Sequence, residues 1–360
     1  MKKTKNKFKV LKRSEVLGLI TENTICLAIA GTHGKTTTTS ILGHLMNECN
    51  VKMTAFLGGI SENYHSNLIQ NGSEVTVVEA DEFDRSFLKL SPTIACITSM
   101  DADHLDIYGD HSELEKSFKD FGNLVSDTLI VRKGLPIEAK TFGIEEDADF
   151  DAKNIQIKDG AYIFDVQTPL EYFKNIKITL PGKHNVLNAV AALAMANSFG
   201  ISLQVIAKAL LTFKGIKRRF SYKINTENLV LIDDYAHHPT EINAVVNSVR
   251  ELYPSKKVLG VFQPHLYSRT RDFIDDFAAS LSEFDELILL DIYPARELPI
   301  AGVNSEWLLS KISTKNKQIS TKENLFENIS ASKAQVIVMI GAGDIGELVN
   351  EIKNKLTIEN

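Results

Sequence analysis

Cysteine is scarce in this 360-residue sequence, a net positive charge and long apolar runs are absent, and each of these features excludes a class of protein. The three cysteines, Cys26, Cys49 and Cys96, are odd in number and widely spaced, so they predict reduced thiols rather than a disulfide or zinc framework. The net charge of −6 disfavours a general nucleic-acid binder, which needs a basic face. We therefore expect a protein of the reducing cytoplasm with no nucleic-acid partner.

No apolar run approaches the length that crosses a membrane. The residues from Met1 to Arg13 are basic like the start of a signal peptide, but the apolar patch from Val16 to Ile20 is too short to continue one. The sequence thus predicts neither secretion nor a membrane partner. Its 44% hydrophobic and 24% charged residues are typical of a globular protein, and its length allows two or three domains.

Short apolar runs alternate with helical periods along most of the chain, which predicts an α/β fold with mostly parallel sheets. The stretch from Lys140 to Leu180 differs, because short strand-like pieces separated by polar residues predict an antiparallel excursion inserted in the sheet. A basic turn then precedes a fresh series of strands and helices. We predict three parts, which are a basic stub at 1–20, a central P-loop-type unit at 21–220 and a C-terminal Rossmann-like unit at 221–360.

The segment from Ala28 to Thr37 joins a predicted buried strand to a predicted helix through a glycine-bounded turn. Glycines let backbone N–H groups approach phosphate oxygens, and a helix N-terminus favours anions. Lys35 would reach the outer phosphates and the Thr36 hydroxyl would bind Mg²⁺. The usual pattern has an earlier glycine where this chain has Ile29, so the loop is a shortened variant, and a simple strand-to-helix turn is the alternative interpretation.

Acidic residues follow two of the predicted strands. Glu79 ends the first strand and opens a run of three acids, which suits an oxygen site for Mg²⁺, with a solvated acidic loop as the alternative. His104 follows the second strand among three aspartates, where a neutral imidazole would complete a second metal site. A lone loop histidine is more often structural.

Three further groups of polar residues are candidates for ligand binding. Asn185 and Asn188 lie on one face at the start of a predicted helix, where they would read the polar edge of a base, although simple N-capping explains this region as well. Arg219 is interpreted as a phosphate ligand or as part of a basic hinge. The segment from Asp233 to Glu241 and the one from Gln263 to Thr270 follow strands of the second series and are dense in titratable groups.

A glycine pattern near the end of the chain matches the dinucleotide fingerprint by letter. It runs from Gly341 to Gly346, and too little chain follows it for the second strand that such a site requires. A nicotinamide site is therefore not expected.

Taken in order, these motifs resemble those of the Mur ligases. The matching segments, which run from about residue 10 to the end, are Gly31-Thr32-His33-Gly34-Lys35-Thr36-Thr37, Glu79-Ala80-Asp81-Glu82, Asp103-His104-Leu105-Asp106, Gly182-Lys183-His184-Asn185-Val186-Leu187-Asn188, Arg218-Arg219-Phe220, Asp233-Asp234-Tyr235-Ala236-His237-His238-Pro239-Thr240-Glu241 and Phe262-Gln263-Pro264-His265. Each motif alone is unspecific, but the set is specific.

The resemblance implies an ATP- and Mg²⁺-dependent ligase of peptidoglycan precursor synthesis. In the branch that the chain is most similar to, ATP phosphorylates the lactyl carboxylate of UDP-N-acetylmuramate, and the amine of L-alanine attacks the acyl phosphate. The resemblance also implies that 21–220 is an ATP-binding domain and 221–360 an amino-acid-binding domain.

The resemblance also assigns roles to individual residues. The implied catalytic residues are Lys35, His104, His237, His265 and Arg269. The implied nucleotide-binding residues are Gly31, Thr32, His33, Gly34, Lys35, Thr36, Thr37, His184, Asn185, Asn188, Arg219 and Asp234. The implied metal ligands are Thr36, Glu79 and His104.

Two departures from the family pattern leave alternatives open. Family members begin with a further domain that binds uridine diphosphate, whereas this chain has only the stub at 1–20, so we expect a fragment or a separately encoded uridine-binding domain. Leu266 stands where many relatives have arginine, which leaves the carboxylate of alanine to Arg269. The alternatives are the family's ligase that recycles a tripeptide and a non-catalytic nucleotide-binding remnant.

Overall fold

The computed structural model describes residues 10–100, 111–158 and 160–359. They form two compact units, with the division between Ile216 and Lys217. The predicted boundary at 220/221 lies four residues further on, so that Arg219 belongs to the second unit in the structure. The predicted metal ligand His104 and residues 1–9 of the predicted stub lie outside the described residues.

The first unit consists of one sheet with helices around it. Its elements are α1 (Arg13–Thr21), β1 (Ile25–Ala30), α2 (Lys35–Glu48), β2 (Met53–Phe56), β3 (Leu68–Gln70), β4 (Val75–Glu79), a 3₁₀ helix (Phe83–Lys89), β5 (Ile94–Ile97), α3 (His111–Asn123), β6 (Thr128–Arg132), β7 (Lys140–Ile144), β8 (Phe150–Lys158), β9 (Ala161–Gln167), β10 (Tyr172–Ile178), α4 (Lys183–Ser198) and α5 (Leu203–Leu210).

The sheet of the first unit has the strand order β10-β9-β8-β7-β6-β5-β1-β4-β2-β3. The strands from β8 to β2 in that order pair in parallel, while β3 and the β8-β9-β10 meander pair antiparallel at the two ends. The prediction of a mostly parallel sheet is therefore confirmed. The predicted antiparallel excursion is correct for β8 to β10, whereas β7 is parallel to both of its neighbours.

Burial explains why the central strands read as continuous apolar runs. Every residue of β1 after Ile25 is buried, and β5 is buried throughout, because helices cover both faces of a parallel sheet. The two apolar clusters of this unit lie on opposite faces, with Leu27 in one and Ala28 in the other. The carboxyl ends of β1, β4 and β5 therefore meet at one edge of the sheet, where polar residues follow each strand.

The second unit is a smaller α/β unit with a six-stranded sheet. Its elements are β11 (Ser221–Asn225), β12 (Val230–Asp234), α6 (Pro239–Leu252), β13 (Val258–Phe262), α7 (Tyr267–Asp272), α8 (Ile274–Leu281), β14 (Glu286–Leu289), α9 (Ser305–Lys311), β15 (Asn316–Ile319), α10 (Leu325–Ser330), β16 (Val336–Ile340) and α11 (Ile345–Glu359).

The strands of the second unit have the order β11-β12-β16-β13-β14-β15, and all pairs except β11 with β12 are parallel. The periodicity of residues 271–284 predicts a single helix, but the structure has α7 and α8 instead, separated at Phe273, whose φ of −116° is not helical. The lone tryptophan of the sequence, Trp307, lies in α9 of this unit.

All three cysteines lie in the first unit and none forms a disulfide. Cys26 on β1 and Cys96 on β5 are buried, and burial raises the pKa of the Cys26 thiol to about 12. Cys49, just after α2, is partly exposed. In the part of the chain that the structure describes, no helix is both long and apolar enough to cross a membrane.

Candidate functional site

The loop between β1 and α2 has a backbone that requires glycine at two positions. Gly31 has φ 135° and Gly34, which caps α2, has φ 81°. A Cβ at Gly31 would lie 2.1 Å from Thr98 Oγ1, and one at Gly34 would lie 2.6 Å from Asn188 Oδ1. The loop therefore packs directly against the end of β5 and against α4, with the N-terminus of α2 beside it, which is a suitable geometry for binding phosphate.

Hydrogen bonds connect this loop to the residues that follow β5. The His33 N–H donates to Ser99 Oγ at 2.7 Å, and the Thr32 N–H donates to the Ser99 carbonyl at 3.2 Å. Thr98 Oγ1 donates to the Ala30 carbonyl at 3.1 Å. These bonds hold the loop against the end of β5.

Lys35 is the first residue of α2, and its ammonium lies close to three acceptors. Lys35 Nζ donates to the Gly31 carbonyl at 2.6 Å and lies 2.7 Å from both Glu82 Oε1 and Glu82 Oε2. The Lys35 side chain is 13% exposed and that of Glu82 is fully buried. The lysine predicted to bind phosphate is thus held at the loop by a buried carboxylate.

Thr36 and Glu79 form a small set of oxygen ligands beside Lys35. Thr36 Oγ1 donates to Glu79 Oε1 at 3.2 Å, and a Cβ at Gly58 would lie 2.0 Å from Glu79 Oε2, so the carboxylate lies against bare backbone. A hydroxyl and a carboxylate at this spacing fit Mg²⁺, which keeps several waters and shares phosphate oxygens. Among the described residues no three His, Cys, Asp or Glu side chains are grouped as a metal site, and His104 lies outside them.

Two asparagines at the start of α4 form hydrogen bonds that connect this helix to α2, next to the β1–α2 loop. Asn188 Oδ1 accepts from Thr38 Oγ1 at 3.3 Å, Asn188 Nδ2 donates to Asn185 Oδ1 at 3.3 Å, and Asn185 Nδ2 donates to the Pro181 carbonyl at 2.6 Å. Both asparagines are buried, while His184 is partly exposed. A direct contact of Asn185 and Asn188 with nucleotide stays a prediction.

Two adjacent aspartates end β12 in the second unit and both are buried. Asp233 Oδ1 lies 3.3 Å from Arg218 Nε and its Oδ2 lies 3.6 Å from Lys223 Nζ. Asp234 accepts the backbone N–H groups of Phe220 and Ala236. Burial raises the pKa of Asp234 to about 6, although the Arg219 cation and the two N–H groups oppose this effect. A contact of Asp234 with ribose stays a prediction.

His237 and His265, from the ends of β12 and β13, lie together in the second unit. Their ring centroids are 5.8 Å apart, and the His265 ring stacks on Tyr293 at 5.7 Å. Arg269 Nη1 lies 3.4 Å from His265 Nδ1. Burial, with His237 and the Arg269 cation, lowers the pKa of His265 to about 4. Burial also lowers the pKa of His237, so both rings are neutral at neutral pH.

Arginine side chains surround Tyr235 at the same end of the sheet. The guanidinium carbons of Arg218 and Arg219 lie 5.1 Å and 5.4 Å from the centre of the Tyr235 ring, which is partly exposed. Arg219 Nη1 also lies 3.6 Å from Glu241 Oε1, and Glu241 Oε2 accepts the His237 N–H. The predicted residues Arg219, His237, His265 and Arg269 thus belong to one polar cluster of cations and neutral imidazoles, suited to carboxylate or phosphate groups.

Comparison with known proteins decides the family. Residues 29–196 match the Mur ligase middle domain, and residues 218–343 match the Mur ligase glutamate ligase domain. The UDP-N-acetylmuramate–L-alanine ligase of Christiangramia forsetii is 62% identical over 357 residues, which cover 99% of this chain and 79% of that protein. The chain belongs to the Mur ligase family.

Solved structures agree with this Mur ligase assignment. The UDP-N-acetylmuramate-alanine ligase of Thermotoga maritima superposes with a TM-score of 0.82 at 27% identity, over 95% of this chain and 77% of that one. The murein peptide ligase of Psychrobacter arcticus superposes with a TM-score of 0.69 at 20% identity, over 98% of this chain and 82% of that one, which shows a shared fold.

Sequence reasoning missed several residues at this Mur ligase's candidate site. Glu82 was visible only as one of three acids after β4, and its pairing with Lys35 depends on a strand pairing that the motif does not show. Gly58 carried no signal in its own segment. Glu241 stood inside a segment rich in titratable groups, where it accepts the N–H of His237 four residues earlier. Tyr293 lies in a different segment from His265, and their ring contact is not visible in either segment alone.

Proposed function

We propose that this chain is an ATP-dependent ligase that joins L-alanine to the lactyl carboxylate of UDP-N-acetylmuramate. The observation that carries the proposal is the 62% identity, over 99% of the chain, to a relative named for that reaction. The phosphate-type loop at Gly31 to Thr37 and the cationic cluster of the second unit are the chemistry such a reaction requires. Phosphoryl and acyl transfer depend mainly on positioning and on positive charge.

In the first step a carboxylate oxygen attacks the γ-phosphorus of ATP, and the bond from that phosphorus to the ADP oxygen breaks. Lys35 and the backbone N–H groups of the loop would bind the outer phosphates. Thr36 and Glu79 would hold Mg²⁺, with His104 as a further proposed ligand. The ion neutralises charge on the phosphate oxygens when bound.

In the second step the amine nitrogen of L-alanine attacks the acyl carbon, the C–O bond to phosphate breaks, and the amine loses a proton. Arg269 would bind the carboxylate of alanine or the acyl phosphate through its guanidinium. His237 and His265 are neutral at neutral pH, so each ring would offer one donor and one acceptor for orienting these groups. Leu266, in the position where many relatives have arginine, has φ 72° and is the N-cap residue of α7.

The nucleotide contacts complete the proposal. His184, Asn185, Asn188, Arg219 and Asp234 would lie at the nucleotide, and the buried asparagines would also keep the loop in shape. Binding of UDP-N-acetylmuramate would involve a uridine-binding domain, whether linked or separately supplied. Such substrates place the reaction in the cytoplasm.

The proposed reaction and the identity of its amine substrate can be tested in one assay. Phosphate release from ATP and Mg²⁺ is measured with UDP-N-acetylmuramate and L-alanine, with and without a separately supplied uridine-binding domain, and each substrate is omitted in turn. We expect release only with the full set, and none with Lys35→Ala. Faster release with a tripeptide than with L-alanine, or unchanged release by Lys35→Ala, would contradict the proposal.

A further inference from the structure

The ammonium of Lys35 is already hydrogen-bonded to two groups at the loop. A lysine ammonium has three donors. Lys35 Nζ donates to the Gly31 carbonyl at 2.6 Å and to Glu82 Oε1 at 2.7 Å, and Glu82 Oε2 lies 2.7 Å away as the second oxygen of the ion pair. A phosphate oxygen therefore has to compete for an ammonium that already donates two hydrogen bonds and is paired with a carboxylate.

Backbone hydrogen bonds hold the segment that carries Glu82. The Glu82 backbone carbonyl accepts the Arg85 N–H at 2.9 Å, and the Asp81 backbone carbonyl accepts the Phe87 N–H at 2.9 Å. Phe87 is fully buried and its ring stacks on Phe121 with a centroid distance of 5.0 Å. Since this turn is anchored in the core, the mobile partner is the four-carbon side chain of Lys35.

The negative charge of Glu82 would oppose phosphate binding at the loop. Glu82 is fully buried, so its carboxylate is poorly screened by water from anions at the loop. Polyphosphate and Glu82 are both anionic and require the same cation. We propose that Glu82 is a positioning residue that holds Lys35 at the loop and competes with the nucleotide phosphates for its ammonium. The inference rests on the proposed function in taking Lys35 as the phosphate-binding lysine.

The test compares nucleotide affinity in two variants that lose the same charge. Binding of ADP and of a non-hydrolysable ATP analogue with Mg²⁺ is measured by calorimetry, without sugar or alanine. Glu82→Gln weakens the competitor while keeping its shape, so we expect the Kd to fall about tenfold, the difference between a charged and a neutral hydrogen bond. Asp81→Asn is the control, because Asp81 is exposed in the same segment and its Oδ1 accepts the Phe83 N–H.

We expect the Kd of Asp81→Asn to stay within about twofold of the wild-type value, because exposed charges are screened. An unchanged or higher Kd in Glu82→Gln would overturn the competition. An equal fall in both variants would assign the effect to net charge and overturn it too. In turnover, Glu82→Gln should lower the KM for ATP more than it changes kcat, which a merely structural role would not do.

The wild-type chain gives a readout that does not depend on folding of a variant. In its crystal structure with the ATP analogue and Mg²⁺, we expect Lys35 Nζ to bond a phosphate oxygen and to have left at least one Glu82 oxygen. Retention of all three present contacts would overturn the proposal. Failure of the ligase reaction itself would appear separately, as absent turnover with the nucleotide affinities still changed.

Discussion

The carboxylate of Asp234 accepts the Phe220 N–H at 2.6 Å and the Ala236 N–H at 2.7 Å. One buried side chain thus connects the start of the second unit to the loop that carries His237. Its pKa of about 6 lies above the ordinary value of 3.8, because burial disfavours the charged form more than the two N–H groups and the Arg219 cation favour it.

This pKa predicts a pH dependence of stability. The folded chain binds the Asp234 proton more tightly than the unfolded chain, so the contribution is fully present below about pH 4 and is lost as pH rises through about 6. The loss amounts to about 3 kcal/mol. In urea unfolding of the second unit, the stability of wild type minus that of Asp234→Asn should therefore fall between pH 4 and pH 6.

Asp285→Asn is the control with the opposite sign. Burial alone would raise the pKa of Asp285, but Arg250 and the Val258 N–H outweigh it and hold the pKa below its usual range. Its contribution is present above about pH 4 and is lost at lower pH, so this difference should be flat from pH 4 to pH 6. A flat profile for Asp234→Asn in that window would contradict the prediction.

The ion pair of Lys35 with Glu82 predicts a non-additive effect on stability. Lys35→Ala leaves a buried carboxylate uncompensated, which should lower the free energy of unfolding of the first unit by about 3 to 5 kcal/mol. The double variant Lys35→Ala/Glu82→Gln removes that charge and should recover part of the loss. Denaturant unfolding followed by circular dichroism measures both, and a double variant no more stable than Lys35→Ala would show that the pair has no such coupling.

Gly34 and Gly134 allow the strain of the backbone to be separated from the loss of space. Both have positive φ, 81° and 94°, but a Cβ at Gly34 would lie 2.6 Å from Asn188 Oδ1, whereas one at Gly134 would have nothing within 4 Å. Gly134→Ala should cost about 1 kcal/mol of unfolding free energy. Gly34→Ala should cost about 2 to 4 kcal/mol and weaken nucleotide binding. Equal losses of unfolding free energy in the two variants would mean that the Asn188 side chain moves away from the new Cβ at no cost.

Arg269 should have two effects, one on the pKa of His265 and one on the binding of alanine. Arg269→Gln removes a neighbouring cation, so the pKa of His265 should rise, as measured by NMR titration of the imidazole. It should also lower kcat/KM for alanine about 100-fold, because a carboxylate would lose its charged partner. Arg271→Gln is the control, since Arg271 is exposed and pairs with Asp272. A rise in the pKa of His265 in both variants would argue against a local effect.

Much of the fold was predictable because parallel strands bury both faces. The runs at β1 and β4 are mostly apolar and buried, and their bounds, Ile25–Ala30 and Val75–Glu79, could be read from the sequence. The bounds of the edge strand β15 could not be read in the same way. β15, with the sequence Asn-Lys-Gln-Ile, has two exposed residues and depends on pairing with β14. The break at Phe273 was likewise invisible, because the apolar period continues across it.

The site was predictable where chain neighbours act together and unpredictable where distant segments meet. Gly31, Gly34, Lys35 and Thr36 form one local turn, and their pattern identified it. The pairing of Lys35 with Glu82 spans 47 residues and arises because β4 lies beside β1 in the sheet. The burial of Asn185 and Asn188 likewise depends on packing of α4 against α2, which no local pattern reveals.

The placement of the cysteines and of Trp307 gives each unit its own natural probe. All three thiols lie in the first unit, where Cys26 and Cys96 are buried, and the lone tryptophan lies in the second. Labelling kinetics of the two buried thiols therefore follow the opening of the first unit, while indole fluorescence follows the second unit in the same sample. The unfolding of each unit can thus be followed by its own signal in a chain with no substitutions.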